Sequence, residues 1–185
     1  MCNKLCKTQK VVLGGKGITL RNPRMNDVKS LLDFVNLLVK EDAPILVNKK
    51  ATLKEEIAWL KDRIKFIKKN KLHFILALDK KEAIGNVEIR KGNWRQSHVA
   101  TIGISVKKTY RGIGLGKLLT KKAIEIAEKD PEIKVLTLSV YEPNKIAKRL
   151  YEKMGFKIIA KLPRRSLYKG KYADEYVMDY NLRGK

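Results

Sequence analysis

One junction of this chain is built for an anion: Val106-Lys107-Lys108-Thr109-Tyr110-Arg111-Gly112-Ile113-Gly114-Leu115-Gly116-Lys117-Leu118-Leu119. An apolar strand runs into it and an amphipathic helix leaves it. At a helix N-terminus the first backbone N–H groups lack intrahelical partners and the helix dipole is positive, so a di-anion placed there satisfies several donors together. Gly114 and Gly116 carry no Cβ to hold a ligand off those amides. Arg111 adds a planar, permanently charged fork that matches phosphate oxygens.

The spacing excludes two common nucleotide loops. A Walker loop needs Gly-Lys-Ser/Thr, and here Lys117 is followed by Leu118, which leaves no hydroxyl for magnesium. Gly112-Ile113-Gly114-Leu115-Gly116 is one residue short of the dinucleotide fingerprint Gly-x-Gly-x-x-Gly, and no βαβ pattern precedes it. What remains, Arg-x-x-Gly-x-Gly, resembles the pyrophosphate loop of the GNAT acetyltransferase superfamily. A second segment, from Leu136 to Phe156, resembles that superfamily's other motif, Asn-x-x-Ala followed by Leu-Tyr-x-x-x-Gly-Phe. Asn144 follows Pro143 as a natural N-cap, Ile146, Ala147, Leu150, Tyr151 and Met154 share a helical face, and Gly155 is a C-terminal stop. The two motifs span roughly residues 99–160. Residues 170–178 are similar to the C-terminal strand of protein, ribosomal-protein and amino-acid N-acetyltransferases of the superfamily.

The resemblance implies a mixed α/β fold: a mostly antiparallel, seven-stranded sheet splayed open at the acetyl-CoA site and flanked by about four helices. It implies acetyl-CoA as co-substrate, no metal, and transfer of the acetyl group to a primary amine of a protein or small molecule by direct attack in a ternary complex. Ile104 and Val106 would offer backbone groups to the pantetheine, and Arg111, Gly112, Ile113, Gly114, Leu115 and Gly116 would hold the pyrophosphate. Asn144 would touch the pantetheine arm or serve only as a cap. Tyr151 would be the general acid that protonates the departing thiolate; without the motif it reads as a core aromatic.

The base is less evident. An α-amine with a pKa near 8 is roughly one-tenth neutral at pH 7, whereas a lysine near 10.4 is neutral about once in a few thousand molecules. Lysine therefore needs more help. Where relatives carry a glutamate on the strand before the glycine loop this chain has Ala100, and at a second such position it has Ser139. Glu88, sharing a strand face with Asn86 and Arg90, is the first substitute; Glu142 or His98 acting through a water are others. Each also reads as a paired or solvated polar residue. The resemblance places the acceptor between residues 41–51 and 161–171. Glu41 and Asp42 there suit a cationic amine, and Pro163-Arg164-Arg165 suits an anionic group.

Composition sets outer bounds. The 185 residues, 44% of them apolar, suit one domain over 17–185 behind a flexible leader at 1–16. No apolar stretch approaches the roughly 20 residues that span a bilayer, and the N-terminus lacks a signal-like apolar run, so no membrane partner and a cytoplasmic location are expected. Cys2 and Cys6 read as reduced and incidental. A monomer or homodimer is expected. The 42 basic residues against 19 acidic ones give +23, a field that suits nucleic acid or an acidic partner but also a lysine-rich background. Along the chain the aromatics are not interleaved with lysines as stacking platforms would require. The alternative to an enzyme is thus a basic nucleic-acid- or nucleoprotein-binding module that keeps a coenzyme A site without strong catalysis.

The elements that must position these residues follow from periodicity. Strand is expected at 18–21, helix at 25–39, and a helix from the Thr52/Glu55 capping box to Lys69. Strands follow at 73–78, 84–90 and 99–106, then a helix to Glu128. Strand 134–140, helix 145–154, strand 156–161 and a last strand within 172–182 complete the order.

Overall fold

The structure is a computed structural model that describes residues 8–182. Cys2 and Cys6, and the first part of the expected leader, lie outside the described residues. Its order is β1 (Gln9–Leu13), β2 (Lys16–Arg21), α1 (Val28–Lys40), α2 (Leu53–Lys68), β3 (Leu72–Asp79), β4 (Glu82–Lys91) and β5 (Val99–Val106). Then come α3 (Leu115–Lys129), β6 (Val135–Tyr141), α4 (Lys145–Lys153), β7 (Lys157–Tyr168) and β8 (Lys171–Asn181). The strands form one sheet in the order β1-β2-β3-β4-β5-β6-β8-β7.

Eight strands stand where seven were expected. The extra one, β1, falls inside the expected flexible leader and pairs with β2 from Gln9↔Leu20 to Leu13↔Lys16. Val11 and Leu13 reach the main core, so pairing with β2 and apolar burial on one face order a segment too short to stand out in sequence. β7 is also longer than expected, because its second half pairs with β8 beyond the rest of the sheet.

Two cores sandwich the sheet. Leu31, Phe34 and Leu38 of α1 and Leu60 of α2 pack with Phe74, Leu76 and Leu78 of β3 on one face. Leu115, Leu119 and Ala123 of α3 pack with Val87, Ile89, Ala100 and Ile102 on the other. Covered on both faces, β3 is buried from Leu72 to Leu78, which is why it reads as a continuous apolar run. The Thr52/Glu55 capping box opens α2 as expected, with Glu55 N–H donating to Thr52 Oγ1 at 3.3 Å.

Every neighbouring pair of strands is antiparallel except β5 and β6. These run parallel and are joined only over Val99–Thr101 and Val135–Thr137. Beyond Thr101, β5 stays with β4 out to Val106, while β6 stays with β8 out to Tyr141. The sheet therefore splits into a wedge that widens toward the C-terminal ends of both strands.

Candidate active site

Both motifs stand at the wide end of that wedge. The glycine loop follows β5 and opens α3; Asn144 follows β6 and opens α4. The first turn of α3 reaches the second half of α4, since a Cβ on Gly116 would lie 3.4 Å from Leu150 Cδ2. A crevice at the carboxyl ends of strands, where the sheet order parts, is where open α/β sheets place ligands.

The loop's geometry suits an anion. Gly112 and Gly114 have φ of +81° and +92°, the left-handed region that other residues avoid, and an added Cβ at either would meet nothing within 4 Å. Open space lies in front of the amides that start α3. From behind, the loop is braced by the β1–β2 turn: a Cβ on Gly14 would lie 3.0 Å from Ile113 Cγ2. Tyr110 donates to Asp79 Oδ2 at 2.7 Å, a bond that with burial pushes its phenol up to about 12, and Lys16 Nζ sits 4.2 Å over its ring. The hairpin missed in the sequence is thus part of what holds the loop.

Arg111 is already engaged. Its Nε donates to Val106 O at 3.0 Å, and its guanidinium meets Glu41, at the C-terminal end of α1, at 3.2 Å. Two N–H groups at Nη1 and one at Nη2 remain for a ligand. The Glu41 contact crosses 70 residues of sequence and left no signal in it.

On the wedge wall the backbone is polarised. Gly92 N–H donates to Val99 O at 2.8 Å and Lys107 N–H to Ile84 O at 2.9 Å, so the odd-numbered residues of β5 bond to β4. The even-numbered residues turn the other way, and past the last residue joined to β6, Thr101, the amides of Ile104 and Val106 face into the wedge, where Val106 O also accepts from Arg111. Ile104 and Val106, the residues expected to offer backbone groups to the pantetheine, stand on this wall.

Asn144 caps α4, its Oδ1 accepting from Ala147 N–H at 3.3 Å. Tyr151 lies on the buried face of α4, 8% exposed, with its ring 5.8 Å from Phe156. No hydrogen bond to its hydroxyl occurs among the described residues, and burial alone pushes the phenol up to about 12. It stays protonated throughout the working pH range.

Glu88 faces the α1/α2 side of the sheet, between Phe74 of β3 and Gly103 of β5, just past the point where the wedge opens. It is not free: Arg63 of α2 pairs with it at 3.1 Å and Arg90 at 3.5 Å. Glu142, after β6, accepts from Lys161 at 2.9 Å and from the Tyr176 hydroxyl at 3.2 Å. His98 precedes β5, and its carbonyl accepts from Lys134 and Val135 at the closed end of the wedge. The structure therefore separates His98 from the motif residues. Glu56, absent from the expected set, lies one turn before Leu60 on α2, where burial raises its carboxyl to about 7. Its spacing of four from Leu60 placed it on the inward stripe. Among the described residues no group of three His, Cys, Asp or Glu side chains could hold a metal ion.

Residues 36–156 match the Acetyltransferase (GNAT) family. The chain belongs to that family. Its co-substrate is acetyl-CoA. The chain is 32% identical over 84 residues to the L-amino acid N-acetyltransferase AaaT of Escherichia coli K12, a match covering 45% of this GNAT chain and 52% of the relative. It thus spans about half of that protein's length. It is 25% identical over 171 residues to an N-alpha-acetyltransferase of Saccharolobus solfataricus, covering 86% of this chain and 89% of the other. A solved GNAT-family acetyltransferase of Streptococcus pneumoniae superposes with a TM-score of 0.79 at 26% identity, over 89% of this chain and 99% of that one. Among the described residues no helix is long and apolar enough to cross a membrane.

Proposed function

We propose that this GNAT acetyltransferase moves the acetyl group of acetyl-CoA to the α-amine of a protein or peptide by direct attack in a ternary complex, working in the cytoplasm. The observation that carries the donor half is the wedge: a parallel strand pair joined over three residues and open where the glycine loop begins. Acetyl-CoA lies with its pyrophosphate on Arg111 and residues 112–116, its pantetheine along Ile104 and Val106, and its thioester near Tyr151. The Asn144 side chain keeps its Nδ2 for the pantetheine while Oδ1 caps α4.

The acceptor half rests on chemistry. An α-amine is partly neutral at pH 7 and needs only modest base assistance. Glu88 serves as that base, receiving the ammonium proton directly or through water, with Arg63 and Arg90 orienting its carboxylate. As the tetrahedral intermediate collapses, the C–S bond breaks and the Tyr151 hydroxyl donates to the leaving thiolate. The match to an N-alpha-acetyltransferase over most of both chains supports this acceptor; a free amino acid is the second reading, favoured by the higher identity of the shorter match.

Mass spectrometry decides between them. Cell extract incubated with the protein and isotopically labelled acetyl-CoA should gain label on protein N-termini. Label confined to free amino acids would overturn the protein acceptor, and none anywhere would overturn the transferase reading for this chain. Glu88→Gln should lower kcat with little change in the KM for acetyl-CoA.

A further inference from the structure

β8 pairs with β6 only over Glu175–Asn181. Toward the turn, β7 and β8 continue alone as a two-stranded ribbon, paired at Ser166↔Ala173, Leu167↔Tyr172 and Tyr168↔Lys171. Lys169 and Gly170, with φ of +51° and +71°, close it. From Leu162 to this turn the ribbon reaches about 20 Å.

Its charge is one-signed. From Lys157 through Tyr172 the chain carries Lys157, Lys161, Arg164, Arg165, Lys169 and Lys171 and no acidic residue. The acids at the ribbon's base are already used. Glu142 and Asp174 hold Lys161 at 2.9 and 3.0 Å, Asp174 also accepts from Arg164 N–H, and Glu175 accepts from the Ser166 hydroxyl. The side chains of Arg164, Arg165, Lys169 and Lys171 make no ion pair among the described residues.

Cations and rings alternate on this ribbon, contrary to the expectation drawn from the linear sequence. Arg164 lies 4.6 Å over the Tyr172 ring and Lys169 lies 5.5 Å from Tyr168. Tyr172 is 66% exposed. Lys169 and Tyr168 are chain neighbours, while Arg164 meets Tyr172, eight residues on, across the β7–β8 ribbon. The ribbon is anchored beside the active site, since Tyr168 packs against Tyr141, the last residue of β6, at 6.0 Å.

We propose that this ribbon is a docking arm for single-stranded nucleic acid. Phosphates pair with Arg164, Arg165, Lys169 and Lys171, and an unstacked base lies on the open face of Tyr172. A polyanion without rings would use the charge and leave the exposed tyrosine idle; a duplex keeps its bases stacked on each other. The combination of fixed cations and an open aromatic face suits a strand whose bases are free. Docked there, an acceptor protein bound to the same strand is held next to the wedge. The arm does not depend on the acyl-transfer reading.

The test is fluorescence anisotropy of the full chain with labelled twenty-nucleotide oligo(U) and oligo(dT) across 50–200 mM salt. Saturable binding is expected, with log K falling against log salt at about −0.7 per phosphate, or about −2.8 for four contacts, roughly a fifty-fold loss over that range. Alanine at Arg164, Arg165, Lys169 and Lys171 together should abolish that dependence, and Tyr172→Ala should weaken binding about ten-fold, the scale of one lost base stack. Alanine at Lys61, Lys65 and Lys68 of α2 and at Lys69, which caps it, removes the same charge and should change little. Circular-dichroism melts show that each variant is folded. Tighter binding of oligo(U) names RNA as the source, and of oligo(dT) DNA. Equal loss in the α2 variant, or competition by polyglutamate or a blunt duplex as effective as oligo(U), would overturn the arm.

Discussion

Tyr151→Phe separates chemistry from packing, because the structure lets the two effects be sized independently. The hydroxyl has no hydrogen-bond partner among the described residues, and the ring, 8% exposed, keeps its contact with Phe156. Removing the oxygen leaves no orphaned partner, so stability should change by less than about 0.5 kcal/mol. Affinity for acetyl-CoA should also hold. Turnover should not. With its phenol pushed up to about 12, Tyr151 donates at every working pH, but a proton so tightly held passes only partly to a thiolate whose conjugate acid lies near 8.5. That mismatch places the loss at the low end of the range for a general acid, about 10²-fold in kcat. The assay is steady-state release of free thiol, run beside a thermal melt with and without acetyl-CoA. The kcat profile of the natural protein should show no fall assignable to Tyr151 below about pH 11, since the phenol stays protonated there. Full turnover in a folded Tyr151→Phe protein would refute the assignment and leave the tyrosine as core filling.

Four further outcomes follow from the same geometry. Gly114→Val forces a branched residue into φ +92° at the start of α3, so a folded variant should lose the rise in Tm that acetyl-CoA gives the natural protein; an undiminished rise would remove the loop from the donor site. Arg111→Ala should raise the Kd for acetyl-CoA about ten-fold by calorimetry, whereas Glu41→Gln, which takes a carboxylate from beside the anion site, should leave it equal or tighter. Burial raises the Glu56 carboxyl from 4.5 to about 7, so its cost is absent below pH 4 and complete above 7; Glu56→Gln should stabilise by up to about 3 kcal/mol in urea melts at pH 8 and by nothing at pH 4. Burial pushes the Asp130 carboxyl up, but Lys91 at 2.5 Å, His73 at 2.9 Å and the Glu132 N–H together hold it below its usual value. Its contribution is present above the unfolded pKa and is lost as pH falls through the folded one, and Asp130→Ala should cost about 1.5–3 kcal/mol near neutrality because it takes one of two carboxylates from the buried Lys91, which keeps the exposed Glu132 at 2.8 Å.

The glycine loop was legible in the residues themselves because its parts are local. A strand, a glycine turn and a helix start lie within fourteen residues from Val106 to Leu119, and their chemistry is that of backbone amides, which glycine spacing reports directly. Asn144 and Tyr151 were legible for the same reason, sitting on one short helix whose cap and apolar face the pattern defines. Helix α2 announced itself through Thr52 and Glu55. What tertiary structure alone decided is every relation across strands. Gln9–Leu13 is too short to declare itself a strand, and it becomes one because β2 supplies its hydrogen bonds and the core accepts Val11 and Leu13. The Arg63–Glu88 and Arg111–Glu41 pairs join side chains 25 and 70 residues apart, and no local propensity encodes such a distance. The wedge itself exists because β5 and β6 share three residues of register before each follows a different neighbour. Pairing is a choice among competing edges of the whole sheet, so periodicity names the strands while only their packing says where two of them part.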